Sequence, residues 1–198
     1  MSLWIFLRHG ESEANRSRVF SGHQDVALTA LGEEQARAAG QQLADMPPLQ
    51  HVLSSDLQRA RCTAELALQA SGCTLRIQTT PALRERNLGE WQGQSIDRLK
   101  AEGARAVLHS WSGHAPGGES LAMLADRAVA YLAAQSNHGT TLLAGHGGLI
   151  RVLLGLIDGT PWDEIGRVNI PNAIPMTRTV GPETWTDILR SLHPQSAN

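Results

Sequence analysis

The feature that most constrains this chain is the alternation of short apolar runs with longer segments of helical composition. Apolar runs at 3–7, 51–53 and 140–144 have the length of buried strands. Each run ends in a polar or glycine-containing turn, and alanine- and leucine-rich segments occupy the intervals between them. Alternating strands and helices favour a mostly parallel sheet that is covered by helices on both faces. The sequence therefore predicts a three-layer α/β/α fold.

Further elements follow from capping and turn patterns. Helices are predicted at 31–45, 57–71, 120–135 and 149–157, and another strand at 75–77. Thr29 is the expected N-cap of the first of these helices. Near the C-terminus, the segments 173–180 and 185–192 flank Gly181-Pro182-Glu183-Thr184, a hairpin-like pattern that indicates an antiparallel edge.

The domain organisation is predicted from length and from one irregular region. A chain of 198 residues suits a single domain, taken as 1–198. The segment 89–118 contains six glycines and two tryptophans without a clear periodicity. We expect this segment to be a small helical cap or lid inserted into the domain.

Composition excludes several classes of partner. The formal net charge of −2 provides no broad positive field for nucleic acid or an anionic membrane surface. Two cysteines, Cys62 and Cys73, are too few for a disulfide framework, and neither has metal-ligand spacing. No apolar stretch reaches the length of a membrane span. We therefore expect a cytoplasmic protein with no metal, nucleic-acid or membrane partner.

Chemically distinctive residues follow three of the predicted strands. The strand ends carry Arg8-His9-Gly10, Ser54-Ser55-Asp56 and Gly145-His146-Gly147-Gly148, and Arg59 lies about one turn into the next helix. Ligands of open α/β sheets bind at the carboxyl ends of the strands. Two imidazoles and two guanidiniums facing one crevice, beside glycines and a helix start, indicate a local phosphate site.

The energetics of phosphate monoester hydrolysis also favour a cluster of groups. Enzymes accelerate this reaction by up to ~10²¹, whereas a single acid or base supplies only about 10² to 10⁴. Arginine forks would stabilise charge on the phosphoryl oxygens, and a neutral imidazole could attack phosphorus. The residue pattern thus indicates phosphoryl chemistry by several converging side chains.

Six blocks, in order along the chain, resemble the histidine phosphatase superfamily, which includes the cofactor-dependent phosphoglycerate mutases. The blocks are Leu7-Arg8-His9-Gly10-Glu11-Ser12-Glu13-Ala14-Asn15, then 21–32, 54–64, Leu83-Arg84-Glu85-Arg86-Asn87-Leu88-Gly89-Glu90-Trp91-Gln92-Gly93, Pro116-Gly117-Gly118-Glu119-Ser120, and Gly145-His146-Gly147-Gly148. An isolated Arg-His-Gly would be a weak signal, but six ordered blocks are a specific one.

The resemblance implies a role for each matched residue. His9 would be the nucleophile that becomes phosphorylated, and Glu85 would protonate the leaving oxygen and then activate water. Arg8, Arg59 and His146 would hold the phosphoryl group and compensate its charge. The substrate-binding positions implied are Asn15, Ser21, Gly22 and Gly147. No cofactor or metal is implied, and the expected substrate is a small phosphorylated metabolite.

Departures from the family pattern bear on the reaction. Gly145 stands where a serine is usual, and Gln92 where an acidic residue is common. The segment 92–118 lacks the adjacent arginine pair with which mutases grip a phosphoglycerate carboxylate, and the chain is shorter than typical mutases. Both of these last points favour a phosphatase.

Several alternatives stay open at this stage. The fold could support mutase-type phosphoryl transfer, hydrolysis of a phosphoprotein, or a non-catalytic phospho-ligand binding and regulatory module. Arg59 could be a surface residue paired with Asp56 or Glu65, and Glu85 could belong to a salt-bridged loop with its arginine neighbours. The sequence leaves the oligomeric state open, with a homodimer among the possibilities.

Overall fold

One mixed sheet forms the centre of the computed structural model, which describes residues 1–135 and 139–194. Its strands are β1 (Ser2–Arg8), β2 (His51–Ser55), β3 (Gln78–Thr80), β4 (Thr140–Gly145) and β5 (Met176–Val180). Their order in space is β3-β2-β4-β1-β5. All neighbouring pairs are parallel except β1 and β5, which are antiparallel. The predicted mostly parallel sheet with an antiparallel edge is confirmed.

Helices connect and cover these strands. They are α1 (Glu13–Arg16), α2 (Ala30–Ala44), α3 (Gln58–Ser71), α4 (Ile96–Ala101), α5 (Ala104–His109), α6 (Leu121–Ala133), α7 (Gly147–Ile157), α8 (Trp162–Ile165) and α9 (Thr184–Leu192). The predicted cap of α2 is confirmed, because the Thr29 hydroxyl accepts a hydrogen bond from the Gly32 amide at 3.0 Å. Within the described residues no helix has both the length and the apolar character to cross a membrane.

The strand β1 shows how the sequence produces three layers. Its side chains alternate, so that Trp4 and Phe6 join one hydrophobic cluster while Ile5 and Leu7 join the other. The first cluster includes buried residues of α6 and α7, and the second includes buried residues of α2 and α3. Helices therefore cover both faces of the sheet, as predicted.

Two predicted strands were wrong. The strand expected at 75–77 lies instead at Gln78–Thr80, because pairing with β2 places Gln78 opposite Leu53 and leaves Leu75 exposed. The second arm of the expected hairpin, 185–192, lies within helix α9. The apolar residues there recur at helical spacing and pack on the first cluster; they are Trp185, Ile188, Leu189 and Leu192.

Two short helices, α4 and α5, occupy the irregular segment 89–118. The Arg18 guanidinium ties this segment to the loop after α1 by donating two hydrogen bonds to Asp97, at 2.7 and 2.5 Å. That the segment acts as a cap stays a prediction, as does the single domain, whose predicted range includes 136–138 and 195–198, outside the described residues.

Candidate active site

The register of β1 and β4 brings the two histidine motifs together. Arg8 lies opposite Gly145, and the next residue on each strand is a histidine. The His9 amide donates to the Gly145 carbonyl at 2.9 Å, and the ring centroids of His9 and His146 are 5.3 Å apart. Two motifs that lie far apart in sequence therefore meet at the carboxyl end of the sheet.

A cavity of ≈ 260 Å³ opens at this end of the sheet. Small-molecule pockets typically measure about 300–1,000 Å³, so this one suits a small ligand. Most of the sequence-predicted site residues line it, namely Arg8, His9, Asn15, Ser21, Gly22, Arg59, Glu85 and Gly147. His146 is not a lining residue, because it lies fully buried next to the His9 ring.

The hydrogen bonding of His9 fixes its tautomer. Its Nδ1 lies 2.7 Å from the carbonyl oxygen of Gly10, which can only accept, so Nδ1 carries the proton and Nε2 carries the lone pair. Burial, reinforced by the charges of Arg59 and Arg8, holds the pKa of His9 well below its usual range. The imidazole is therefore neutral at pH 7, the form required of a nucleophile.

Arg59 is fully buried, which excludes a surface role. Its Nη1 and Nη2 donate to the carbonyls of Gln24 and Gly22, each at 2.8 Å. The alternative pairing with Asp56 or Glu65 is wrong, since Arg84 and Arg61 respectively occupy those carboxylates. Burial lowers the pKa of Arg59 to about 10, so the side chain stays cationic at neutral pH.

Buried nitrogens without a hydrogen-bond partner collect around this cavity. They are Nε of Arg8, Nε of Arg59, Nη1 of Arg86 and both ring nitrogens of His146. Such atoms are uncommon in native proteins, because leaving a buried donor unsatisfied costs about 1–3 kcal/mol. Burial, with the charge of Arg59 next, also holds the pKa of His146 well below its usual range. An anion in the cavity would offset the positive charge of the guanidiniums that line it, Arg8, Arg59 and Arg86.

Glu85 caps the start of α7 with its carboxylate. Oε2 accepts from the Gly148 amide at 2.9 Å, while Oε1 accepts from the amides of Arg86 at 2.8 Å and Leu149 at 3.2 Å. The alternative of a salt-bridged loop is wrong, since among the described residues Glu85 forms no ion pair and Arg84 pairs with Asp56. The carboxylate therefore sits on a helix N-terminus at the cavity wall.

Sequence reasoning missed the residues that hold the Glu85 segment in place. The Arg127 guanidinium donates to the carbonyls of Ala82 at 2.8 Å and of Arg84 and Glu85 at 3.2 Å, and it forms two hydrogen bonds with Glu119. His23 Nε2 also donates to the Glu85 carbonyl, at 2.7 Å. These contacts fix the backbone that presents Glu85.

Two further residues at the site were also missed, one that contacts His9 and one that lines the cavity. Asn172 Nδ2 donates to the His9 carbonyl at 2.8 Å and approaches Asn15 Oδ1 at 3.4 Å, from a segment with no motif. Arg151 lines the cavity from α7. A signal for Arg151 existed, since it follows Gly147 by one helical turn and therefore lies on the same face of the helix.

The two buried histidines predict a specific pH dependence of stability. In the unfolded chain a histidine takes up a proton as the pH falls through about 6.5, whereas folded His9 and His146 stay neutral. The free energy of unfolding should therefore fall as the pH is lowered from about 6.5 to about 5.0, by about 1.4 kcal/mol per pH unit for each histidine. Urea denaturation across this window measures the slope.

A matched variant tests the origin of this slope. His146→Gln should reduce the slope by about 1.4 kcal/mol per pH unit, the share of one buried histidine. Met123→Gln, an exposed substitution of a side chain without an ionisable group, should leave the slope unchanged. Equal slopes in wild type and His146→Gln would contradict the assignment.

The comparison with known protein families agrees with this fold and site. The sequence model of the histidine phosphatase superfamily, branch 1, matches residues 4–186. The chain belongs to this superfamily. Among curated proteins, the probable phosphoglycerate mutase GpmB of Erwinia tasmaniensis is 35% identical over 178 residues, covering 86% of this chain and 81% of its own. That of Salmonella choleraesuis is 38% identical over 171 residues, covering 82% and 78%.

Solved structures give the same class. A mycobacterial glucosyl-3-phosphoglycerate phosphatase in complex with VO3 superposes with a TM-score of 0.82 at 28% identity, covering 93% of this chain and 94% of its own. The protein TTHB049 from Thermus thermophilus superposes with a TM-score of 0.71 at 31% identity, covering 88% and 92%. The chain is thus similar along nearly its whole length to proteins named as phosphatases and as mutases.

Proposed function

We propose that this protein hydrolyses phosphomonoesters of a small metabolite, without a metal ion, through a phosphohistidine on His9. The observation that carries the proposal is the pair of guanidiniums, Arg8 and Arg59, each with an unpartnered Nε, that line the cavity beside the neutral imidazole of His9. A phosphoryl group supplies the acceptor oxygens that these donors lack. The cytoplasmic location stays a prediction from the sequence.

In the first step, His9 Nε2 attacks phosphorus and the P–O bond to the leaving group breaks. The negative charge on the phosphoryl oxygens is stabilised by the two guanidiniums, Arg8 and Arg59, in a site largely withdrawn from water. Glu85, in its protonated form, gives its proton to the leaving oxygen, which departs as an alcohol. The products are phosphohistidine and the Glu85 carboxylate.

In the second step, water replaces the nitrogen on phosphorus. The Glu85 carboxylate takes a proton from the water as its oxygen bonds to phosphorus and the P–N bond breaks. Inorganic phosphate leaves, and His9 and Glu85 return to their starting forms. Splitting the displacement in this way replaces one difficult step with two easier ones.

Mutase-type transfer is the second candidate, favoured by the names of the curated relatives. A mutase would return the phosphoryl group from His9 to a different oxygen of the substrate rather than to water. The two reactions differ in their products from 3-phosphoglycerate: a phosphatase releases inorganic phosphate, whereas a mutase primed with a bisphosphoglycerate yields 2-phosphoglycerate. The absence of an adjacent arginine pair in 92–118 favours the phosphatase.

Turnover of phenyl phosphate in the presence of a metal chelator tests the proposal directly. We expect steady release of phosphate that is unchanged by the chelator. No turnover of phenyl phosphate or of a panel of phosphorylated metabolites would contradict it, and tight phosphate binding without turnover would favour a non-catalytic binding module instead.

Gly148→Ala should displace the Glu85 carboxylate. A Cβ at position 148 would lie 2.3 Å from Glu85 Oε1, so the two groups cannot keep their positions. We expect kcat/KM for an alkyl phosphate to fall by about 10- to 100-fold, since general acid catalysis contributes about 10²–10⁴-fold. The loss should be smaller for 4-nitrophenyl phosphate, whose leaving group needs little protonation.

The matched control is Gly181→Ala, whose new Cβ would have 3.4 Å to its nearest neighbour and lie outside the cavity. It should retain wild-type activity on both substrates. Equal losses of Gly148→Ala on the alkyl and the nitrophenyl ester would count against a proton-donor role for Glu85.

A further inference from the structure

One motif block of the sequence takes no part in the proposed reaction. None of the residues in Pro116-Gly117-Gly118-Glu119-Ser120 lines the cavity. The block lies instead beside the segment that presents Glu85, where its Glu119 amide donates to the Asn87 carbonyl at 2.8 Å. The block therefore contacts the chain two residues after the proposed proton donor.

Two glycines allow this close approach. A Cβ at Gly89 would lie 2.1 Å from the Pro116 carbonyl oxygen, and a Cβ at Gly118 would lie 2.8 Å from that of Asn87. Gly89 also has a φ of +48°, a conformation that favours glycine. The contact between the two segments thus depends on a position without a side chain in each of them.

The Glu119 carboxylate joins these segments to helix α6. Oε2 accepts from the Asn87 amide at 2.8 Å, and the Arg127 guanidinium donates to both oxygens, from Nε at 3.0 Å and from Nη2 at 2.9 Å. Burial opposes the charge on Glu119, but the hydrogen bonds from Arg127 and the Asn87 amide hold its pKa below the ordinary value. Glu119 is therefore ionised at neutral pH, and with Arg127 it forms a bidentate ion pair.

The remaining donors of Arg127 hold the backbone that leads to Glu85. Nη1 donates to the carbonyls of Ala82 at 2.8 Å and Arg84 at 3.2 Å, and Nη2 donates to the Glu85 carbonyl at 3.2 Å. Residues 84–88 lie in neither a helix nor a strand, so no regular backbone pairing fixes this segment. The ion pair thus supplies partners for the backbone on both sides of Glu85.

From these contacts we infer that Arg127 and Glu119 are positioning residues, which hold the Glu85 carboxyl where it can protonate the leaving oxygen. Neither side chain lines the cavity, so each acts through Glu85 and not on the substrate. Because a misplacement of about 1 Å can cost about 10²-fold in rate, such residues have a large effect without touching the reactants. The inference rests on the proposed function in taking Glu85 as the proton donor, and it adds a role for the motif block 116–120.

Two esters that differ in their need for a proton test the inference. Arg127→Met should lower kcat/KM for an alkyl phosphate by about 10- to 100-fold. The loss for 4-nitrophenyl phosphate should stay below about threefold, since its leaving group needs little protonation. The affinity for inorganic phosphate, measured by calorimetry, should stay within about twofold of wild type because Arg8 and Arg59 are unchanged. Equal losses on the two esters would overturn the inference, since general damage to the site lowers both.

A double variant shows whether Arg127 acts through Glu85. Glu85→Gln removes the proton donor, so adding Arg127→Met to it should lower kcat/KM for the alkyl ester by less than about threefold more. Residues that act as a unit give such non-additive losses. Multiplication of the two single losses would overturn the inference, because Arg127 would then act independently of Glu85.

Milder variants keep the test decisive if Arg127→Met does not fold. Glu119→Gln retains one acceptor for Arg127 but lacks the charge and the second oxygen, so we expect about a 3- to 10-fold loss, confined to the alkyl ester. No loss, or an equal loss on both esters, would overturn the inference. Arg127→Lys lacks the planar fork and should match Arg127→Met within about threefold, whereas wild-type activity of the lysine variant would likewise overturn it.

The matched control is Arg178→Met. Arg178 donates to both oxygens of Asp158, at 2.7 and 2.8 Å, so the change removes an ion pair of the same kind. Neither of these two residues lines the cavity. Both esters should be turned over within about twofold of the wild-type rate.

A failure of this inference is separable from a failure of the proposed function. If Glu85→Gln loses activity on the alkyl ester and Arg127→Met does not, Glu85 is the proton donor and its position does not depend on Arg127. If Glu85→Gln keeps wild-type activity on both esters, the proton-donor assignment in the proposed function is wrong, and the inference is wrong with it.

Discussion

His9→Ala is expected to lower kcat for phosphate ester hydrolysis by about 10⁴- to 10⁶-fold, the range seen when a covalent nucleophile is removed. The neighbouring imidazole, His146, offers no ready substitute. His146 is fully buried and is not a lining residue of the cavity, so its ring cannot take over the attack without rearrangement. Stopped-flow or endpoint phosphate release measures the loss.

Trapping of the intermediate separates nucleophilic catalysis from a structural effect. Wild type quenched in alkali during turnover of a radiolabelled phosphate ester should retain acid-labile label on the protein, and His9→Ala should retain none. His193→Gln changes an exposed histidine that does not line the cavity, so this variant should label and turn over as wild type does. Label that persists in His9→Ala would show that another residue is the nucleophile.

Arg59→Met should have the second largest effect, lowering kcat/KM by about 10³-fold. Removal of one preorganised donor to a developing oxyanion typically costs about 10²–10³-fold, and here the loop position is lost as well. The same guanidinium holds the carbonyls of Gly22 and Gln24, so its loss releases a wall of the cavity. We therefore expect kcat to fall and KM to rise together.

A conservative and a neighbouring variant sharpen this test. Arg59→Lys keeps the charge but lacks the planar fork that reaches two carbonyls at once, so it should recover less than about tenfold of the lost activity. Arg61→Met lies on the same helix, at an exposed position paired with Glu65, and should be near wild type. Full rescue by lysine would show that charge alone matters and that the fork holds no part of the site.

The central elements could be predicted because local pattern and tertiary structure agree there. The apolar run of β1 is buried on both faces, and Thr29 caps α2 as its position suggested. The meeting of His9 with His146 also followed from the sequence, because residues after parallel strands converge at one edge. In these places one local sequence pattern determines both the secondary-structure element and the side of the sheet or helix on which its residues lie.

The errors have a different origin, namely contacts that local pattern does not contain. The polar strand β3 exists because β2 offers it a pairing edge, whereas the apolar segment before it does not pair. The helix α9 was misread since its flanking turn resembled a hairpin, although Trp185 and Ile188 are spaced for a helix. Arg127 and Asn172 carry no motif, so only the folded chain reveals their contacts.

The strand order has a consequence for how the protein is made. β4 lies between β1 and β2, although both are synthesised long before it. Until residue 145 leaves the ribosome, β1 and β2 would be separated by a gap of roughly 10 Å. The backbone edges that face this gap would be unpaired, and unpaired strand edges favour association with other chains. The cavity that His9 and Arg59 line therefore forms only when β4, the last parallel strand, has been inserted between β1 and β2.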